Sequence, residues 1–179
     1  MDDAERRLIE QLYARHAGAV FRYALRRSDR ETAEEVTAQV FLIAWRRRAA
    51  LPEDPLPWLN GVARRALADQ RRGASRRLRL GTRLRSTAVA PEPTDALPDH
   101  RLAEALGRLS ERDREVLLLR YWEDLGPAQI ACVTGHSKTA TAVRLHRARN
   151  RLRRELDVAG GGDVKAREGA RSCAVKVES

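Results

Sequence analysis

Residues 109–156 read LSERDREVLLLRYWEDLGPAQIACVTGHSKTATAVRLHRARNRLRREL, and the fold follows from how this stretch is divided. Gly126-Pro127 predicts a helix start, because proline at the first helical position gives up an N–H that has no partner there. That helix runs to Val133 and stops at Thr134-Gly135-His136, where glycine suits a tight turn. Ser137 is a natural N-cap for a second helix. Within it Thr141, Leu145, Ala148, Leu152 and Leu156 recur at spacings of three and four, so they share one face and should bury it. The other faces carry Lys138, Arg144, Arg147, Arg149, Arg151, Arg153 and Arg154, with no acid before Glu155. Two short helices joined by a glycine turn, the second basic on its free side, read as a DNA-binding helix-turn-helix.

Upstream of this stretch the pattern is helical throughout. Leu8, Leu12, Val20 and Ala24, with Ile9, Phe21 and Leu25, mark one face of a helix from Glu5 to Arg27. Ser28-Asp29-Arg30-Glu31 has capping-box spacing and opens a second helix. Val36, Val40, Ile43 and Ala44 form its inner face, with Phe41 and Trp45 one step around. Leu51–Pro57 holds three prolines and is expected to be non-helical. Pro57 then opens a third helix over Trp58–Arg72, with Leu59, Val62, Ala66 and Leu67 inward. Residues 74–98 lose any apolar face and read as a linker. Helical signals resume near Asp99 through Leu102, Ala105, Leu106 and Leu109, and again from Ser110 through Val116, Leu117, Leu119 and Trp122. The glycine-rich, net-neutral stretch 157–179 is expected to be disordered. The fold class is all-α: a helical domain over 1–73, a linker over 74–98, a second domain over 99–156 and a tail over 157–179.

The bulk numbers narrow the function. The chain has 179 residues and a formal charge of +10. The charge is uneven: residues 61–90 carry +8 and 137–156 carry +6, whereas 91–136 carry −4. Two separated basic blocks point to a polyanion touched at two places, and hence to nucleic acid. Neither block interleaves the large apolar residues of an interfacial helix, so no membrane insertion is expected. Cys132 and Cys173 are the only thiols, which fits a reducing cytoplasm better than a disulfide scaffold. His16, His100, His136 and His146 are scattered and have no metal-ligand spacing. No glycine-rich phosphate loop is present, so neither metal, cofactor nor catalysis is expected.

Both halves together resemble the extracytoplasmic-function (ECF) class of bacterial RNA polymerase sigma factors, in the sigma-70 family. LYARHAGAVFRYALRR, residues 12–27, looks like the opening helix of sigma region 2. Ala33–Trp45, AEEVTAQVFLIAW, resembles its polymerase-docking helix, and Pro57–Arg65, PWLNGVARR, the helix that meets the melted minus-ten element. The helix-turn-helix matches region 4, which reads the minus-thirty-five element. In this class the docking helix often carries Gln and then an acid where this chain has Ala38 and Gln39, while Glu35 keeps an acid.

The resemblance implies a non-catalytic factor that brings core polymerase, through its beta-prime subunit, to promoter DNA, with an anti-sigma factor as regulator and a role in stress response. It places Lys138, Thr139, Ala142, Val143, His146 and Arg147 in the major groove. Arg147 suits a guanine edge or a phosphate equally, and Ala142 or Val143 a thymine methyl. Trp58 is either a core anchor or a stacking platform for an unpaired base. Arg64, Arg65, Arg71 and Arg72 would follow the opened strand, and Glu35, Ala38 and Gln39 would dock on polymerase. The alternative reading is a stand-alone helix-turn-helix regulator of the response-regulator type. Such proteins carry an α/β domain ahead of the motif, and residues 1–72 show no strand pattern.

Overall fold

The computed structural model describes residues 3–80 and 100–174. Among these there are seven α-helices, one 3-10 turn and no strand: α1 Asp3–Leu25, α2 Arg30–Arg46, the turn Arg48–Ala50, α3 Pro55–Leu80, α4 His100–Arg108, α5 Glu111–Tyr121, α6 Pro127–Thr134 and α7 Lys138–Ala174. The all-α expectation holds. None of the described helices is long and apolar enough to cross a membrane.

The first three helices pack around Leu12, Val20 and Ala24 of α1, Val36, Val40 and Ala44 of α2, and Leu59, Val62 and Ala66 of α3, all buried. These are the residues that the three-and-four spacing selects. The second unit closes over Leu106, Leu109, Val116, Leu117, Leu119, Ile130, Leu145 and Ala148. Removing a buried leucine from the middle of either set costs about 2–5 kcal/mol. Leu8 departs from its expected inward position and is 46% exposed, because it lies one turn before the packed part of α1.

Local signals explain most helix ends, with four corrections. The N-cap of α2 is Asp29, whose carboxylate accepts from the Thr32 N–H at 2.8 Å; Ser28 instead donates from its hydroxyl to the Ala24 carbonyl at 2.9 Å. The expected Ser28–Glu31 box therefore does not form. Helix α3 begins at Pro55 rather than Trp58. Pro55 and Pro57 fall in the first turn, where backbone N–H groups have no intrahelical partner and proline is tolerated. Its other end runs through Gly73 to Leu80, so 74–80 are helical rather than linker. Arginine and leucine are good helix formers, and extending a nucleated helix is easy. Residues 81–98 of the expected linker lie outside the described residues. Likewise α7 continues to Ala174, so 157–174 are helical despite Gly160–Gly162.

The two units touch. Helix α3 lies against α6, and a Cβ built on Gly61 would meet the Val133 backbone at 3.6 Å. Glycine there brings the two helices close; alanine would just fit and a larger side chain would wedge them apart. The capping amide of α6, Gln129, accepts from the Gly126 N–H and donates to the Asp54 carboxylate, each at 2.8 Å.

Candidate nucleic-acid interface

The helix-turn-helix forms as its residues dictate. Gly126 precedes α6, and Gly135 ends it at φ 73°, donating its N–H to Ala131 at 2.9 Å. Only glycine enters that left-handed region without strain. Ser137 caps α7 by accepting from the Ala140 N–H at 3.1 Å. Thr141, Leu145 and Ala148 are buried against the rest of the unit, while Lys138, Thr139, Ala142, Val143, His146 and Arg147 are all exposed. At about 100° per residue these six cover roughly half the helix circumference, turned away from the buried stripe. The structure thus brings all six onto one accessible face. His146 is oriented by a 3.1 Å hydrogen bond between its Nε2 and the Asn150 amide.

What holds that face in place is Asp113, in the first turn of α5. Its buried carboxylate sits beneath α7, accepting from Arg144 at 3.4 Å and from Arg151. Ser110 caps the same turn through the Asp113 N–H. Two of the arginines of α7 are therefore tied inward, while Arg147, Arg149, Arg153 and Arg154 point to solvent. The available signal was spacing, since Asp113 falls three and four residues before Val116 and Leu117 on the inward face of α5, where an acid needs a partner.

The arginines expected on the opened strand lie along α3. Trp58 is half-buried against the core and lines a pocket of about 360 Å³ with Gln39, Ile43, Arg47, Val62 and Arg65. Gln39, expected at the docking surface, thus shares this pocket with Trp58. Arg65, Arg71 and Arg72 are exposed and Arg64 is half-buried. All four line a cleft between α3 and the second unit, opposite Arg112, Arg114 and Glu115. Arg71 reaches Glu111 at 2.7 Å and the Arg27 carbonyl at 2.9 Å, and Arg72 pairs with Asp69. On α2, Glu35, Ala38 and Gln39 are exposed side by side. Glu35 accepts from Gln70 at 3.0 Å. Leu42, one turn beyond Ala38, extends the stripe at 50% exposure.

A polar cluster that sequence reading missed bridges the units beside this cleft. The Tyr23 hydroxyl donates to Glu115 at 2.8 Å, and the Arg27 Nε donates to the same carboxylate at 2.9 Å. Arg26 donates to Glu123 at 2.6 Å, and Arg27 to Glu123 at 3.4 Å. The Arg27 guanidinium also stacks 3.7 Å from the Tyr23 ring centre. Burial alone would raise the Glu115 carboxyl, but the charge and hydrogen bond of Arg27, with the Tyr23 hydroxyl, hold it below its ordinary value. Burial drives the Tyr23 phenol far above its usual value. Chain positions 23, 27, 115 and 123 share no local pattern, so nothing in the sequence pairs them.

A two-unit helical protein with one exposed helix-turn-helix and a second basic helix is built to grip nucleic acid at two places. Residues 12–77 match Sigma-70 region 2, and residues 99–152 match Sigma-70 region 4. The ECF RNA polymerase sigma factor SigL of Mycobacterium tuberculosis is 34% identical over 169 residues, spanning 88% of this chain and 93% of that protein. BldN of Streptomyces coelicolor, another ECF sigma factor, is 31% identical over 156 residues, spanning 82% and 59%. Among solved structures, CnrH in complex with the cytosolic domain of CnrY superimposes with a TM-score of 0.61 at 25% identity, covering 86% of this chain and 90% of that one. The sigma factor RpoE of Bartonella quintana, solved with the anti-sigma factor NepR, has the same fold at a TM-score of 0.63 and 24% identity, covering 83% and 96%. The chain belongs to the ECF sigma factors of the sigma-70 family.

Proposed function

We propose that this chain gives core RNA polymerase its promoter choice in the cytoplasm, acting by binding rather than by catalysis. The observation that supports this best is the exposed face of α7, six residues wide and pinned from below by Asp113, on a chain whose first unit carries the docking-type helix. In this reading Lys138, Thr139, Ala142, Val143, His146 and Arg147 meet the minus-thirty-five duplex. Arg147 has the reach for a bidentate contact to guanine, and Val143 offers an apolar contact to a thymine methyl. Glu35, Ala38 and Gln39, continued by Leu42, dock on the beta-prime subunit. Trp58 and the α3 arginines receive the opened minus-ten strand, with the pocket beside Trp58 sized for one unstacked base.

The arrangement of the units adds a requirement. Arg64 is half-buried and faces α5 across the cleft, so a DNA strand reaches it only after the second unit swings away from α3, whereas Arg65, Arg71 and Arg72 are already exposed. Opening breaks the bonds of Tyr23 and Arg27 to Glu115, while the minus-thirty-five face is accessible in either state. An anti-sigma factor, the kind of partner solved with RpoE of Bartonella quintana, would act on this balance. The alternative of a stand-alone regulator gains no support, since residues 3–80 form three α-helices with no strand among the described residues. The test is co-elution of the chain with purified core polymerase, followed by run-off transcription. A complex and new start sites are expected; neither appearing would refute the reading.

A further inference from the structure

The cleft between the units has a volume of about 980 Å³ and is lined by eight arginines against two glutamates, Glu111 and Glu115. Both acids are already engaged, Glu111 by Arg71 and Glu115 by Tyr23 and Arg27. Arg114 spends its guanidinium on the carbonyls of Leu106 and Gly107 at 2.8 and 2.9 Å, which hold it in place without neutralising it. Among the described residues, Arg65 on one wall and Arg112 on the other make no ion pair, and Arg64 has no direct partner, although its charge acts on Glu115 and Tyr23. Deeper in, Arg27 is buried with its Nη2 lacking any hydrogen-bond acceptor, and the neighbouring Arg26 Nε lacks one too. Buried guanidinium N–H groups are rarely left so in a finished interior. Glu123 and Asp69, beside the cleft, offset Arg26 and Arg72. Arg64, Arg65, Arg112 and Arg114, however, have no carboxylate within ion-pair distance among the described residues, so the cleft is short of acceptors inside and of negative charge on its walls.

Apart from Tyr23, Ser28 and Gly107 the remaining lining is apolar, with Leu67 on α3 and Leu118 and the half-buried Trp122 ring on the second unit. An occupant that answers both halves carries several anionic oxygens on a flat, apolar body. We propose that this cleft is a binding site for a phosphorylated nucleotide. Its phosphates would lie between Arg64 and Arg112, where guanidinium forks match phosphate oxygens bidentately, and its base against Trp122 and Leu118. The volume is within the range of small-molecule sites. An acidic protein segment fits the charge but not the space. The Arg71–Glu111 and Arg27–Glu115 bonds cross the cleft, and a helix some 10 Å across would have to break both. A nucleotide leaves them intact and bridges α3 to α5. If Arg64 and Arg65 take the opened strand, as proposed above, nucleotide and promoter compete for them; the binding site itself does not rest on that reading.

The test is titration of the full chain at fixed ionic strength with ATP, GTP, inorganic triphosphate and polyglutamate, followed by tryptophan fluorescence and calorimetry. One nucleoside triphosphate is expected to bind saturably at one per chain, with inorganic triphosphate about tenfold weaker for want of a base. Arg64→Gln and Arg112→Gln should each weaken binding about tenfold, as expected for one charge-assisted bond. Neither residue makes a direct ion pair, and Arg64 acts on Glu115 only at longer range, so both variants should keep the native circular dichroism. Arg149→Gln, on the exposed side of α7, should bind as the parent does. The proposal is overturned if Arg149→Gln weakens binding as much as Arg64→Gln, which means general attraction to a basic chain. It is equally overturned if polyglutamate binds and nucleotides do not, or if no nucleotide binds. These measurements use neither polymerase nor DNA, so they stand apart from the test of promoter choice.

Discussion

Replacing Glu115 with alanine should separate the two units while leaving each one folded. The carboxylate accepts from the Tyr23 hydroxyl at 2.8 Å and from Arg27 at 2.9 Å, and no residue of its own unit is a partner in those bonds. The side chains of Arg27 and Glu115 are 7% and 14% exposed, so the pair is largely shielded from solvent. Removing one partner of a buried pair costs about 3–5 kcal/mol, because the other charge is left uncompensated. Here Glu123 remains 3.4 Å from Arg27 and softens the loss, which argues for the lower end of that range. Since the bonds lie between units, the cost falls on the closed arrangement alone. About 3 kcal/mol corresponds to a shift of roughly 100-fold toward the separated form. Single-molecule energy transfer would read it, with one dye on the exposed Cys132 of α6, another on a cysteine replacing the exposed Glu31, and Cys173 changed to serine. A long-distance population should appear in Glu115→Ala and be reproduced by the wedge Gly61→Leu. An unchanged distance distribution in Glu115→Ala, with the native helix content retained, would show that the bridge does not hold the units together.

Further expectations follow from other residues. Because the Glu115 carboxyl titrates below its ordinary value in the closed form, its contribution is full above that ordinary value, about 4.3, and is lost as pH falls through the depressed one; the short-distance population should hold steady from pH 6 to 9 and decline below about pH 4. Gly135→Ala should lower stability by about 1–2 kcal/mol in thermal or denaturant melts, since a Cβ there has open space and the cost is purely that of a left-handed backbone. Asp113→Ala should release Arg144 and Arg151 and weaken duplex binding by α7 at every sequence alike, as judged by anisotropy on a panel of promoter variants. If Arg147 reads a base, Arg147→Ala should cost about 1–3 kcal/mol and relax preference at one position, whereas a uniform loss with a shallower salt slope would mark a phosphate contact.

What could be read from the chain was whatever is written locally. The apolar spacing over Val36–Ala44 and Thr141–Ala148 places the core correctly, because a helix converts sequence interval into a face. The helix-turn-helix was legible down to its caps, since Gly126, Gly135 and Ser137 each act on their own backbone. Helix ends went astray where two local rules compete, as at Pro55–Pro57, where proline ends one helix but also suits the start of another. Residues 74–98 and the glycine-rich 157–179 were read as linker and tail, yet a missing apolar face or a few glycines do not outweigh the drive of a long helix to propagate. The relation between the units was not legible at all. Tyr23 reads as one more residue near a helix end, and only across 92 positions does its hydroxyl find Glu115. For the same reason nothing in the sequence shows that the four α3 arginines also line a cleft against the second unit.

The measurement that bears most directly on the account is genome-wide mapping of transcript starts made in vitro by purified core polymerase with and without this chain. A discrete set of starts that require the chain and share two upstream sequence elements at a fixed separation is expected. Val143→Glu should abolish use of the upstream element, because it sets an acid against the duplex. No chain-dependent starts, or starts that share a single element and are indifferent to Val143→Glu, would contradict it.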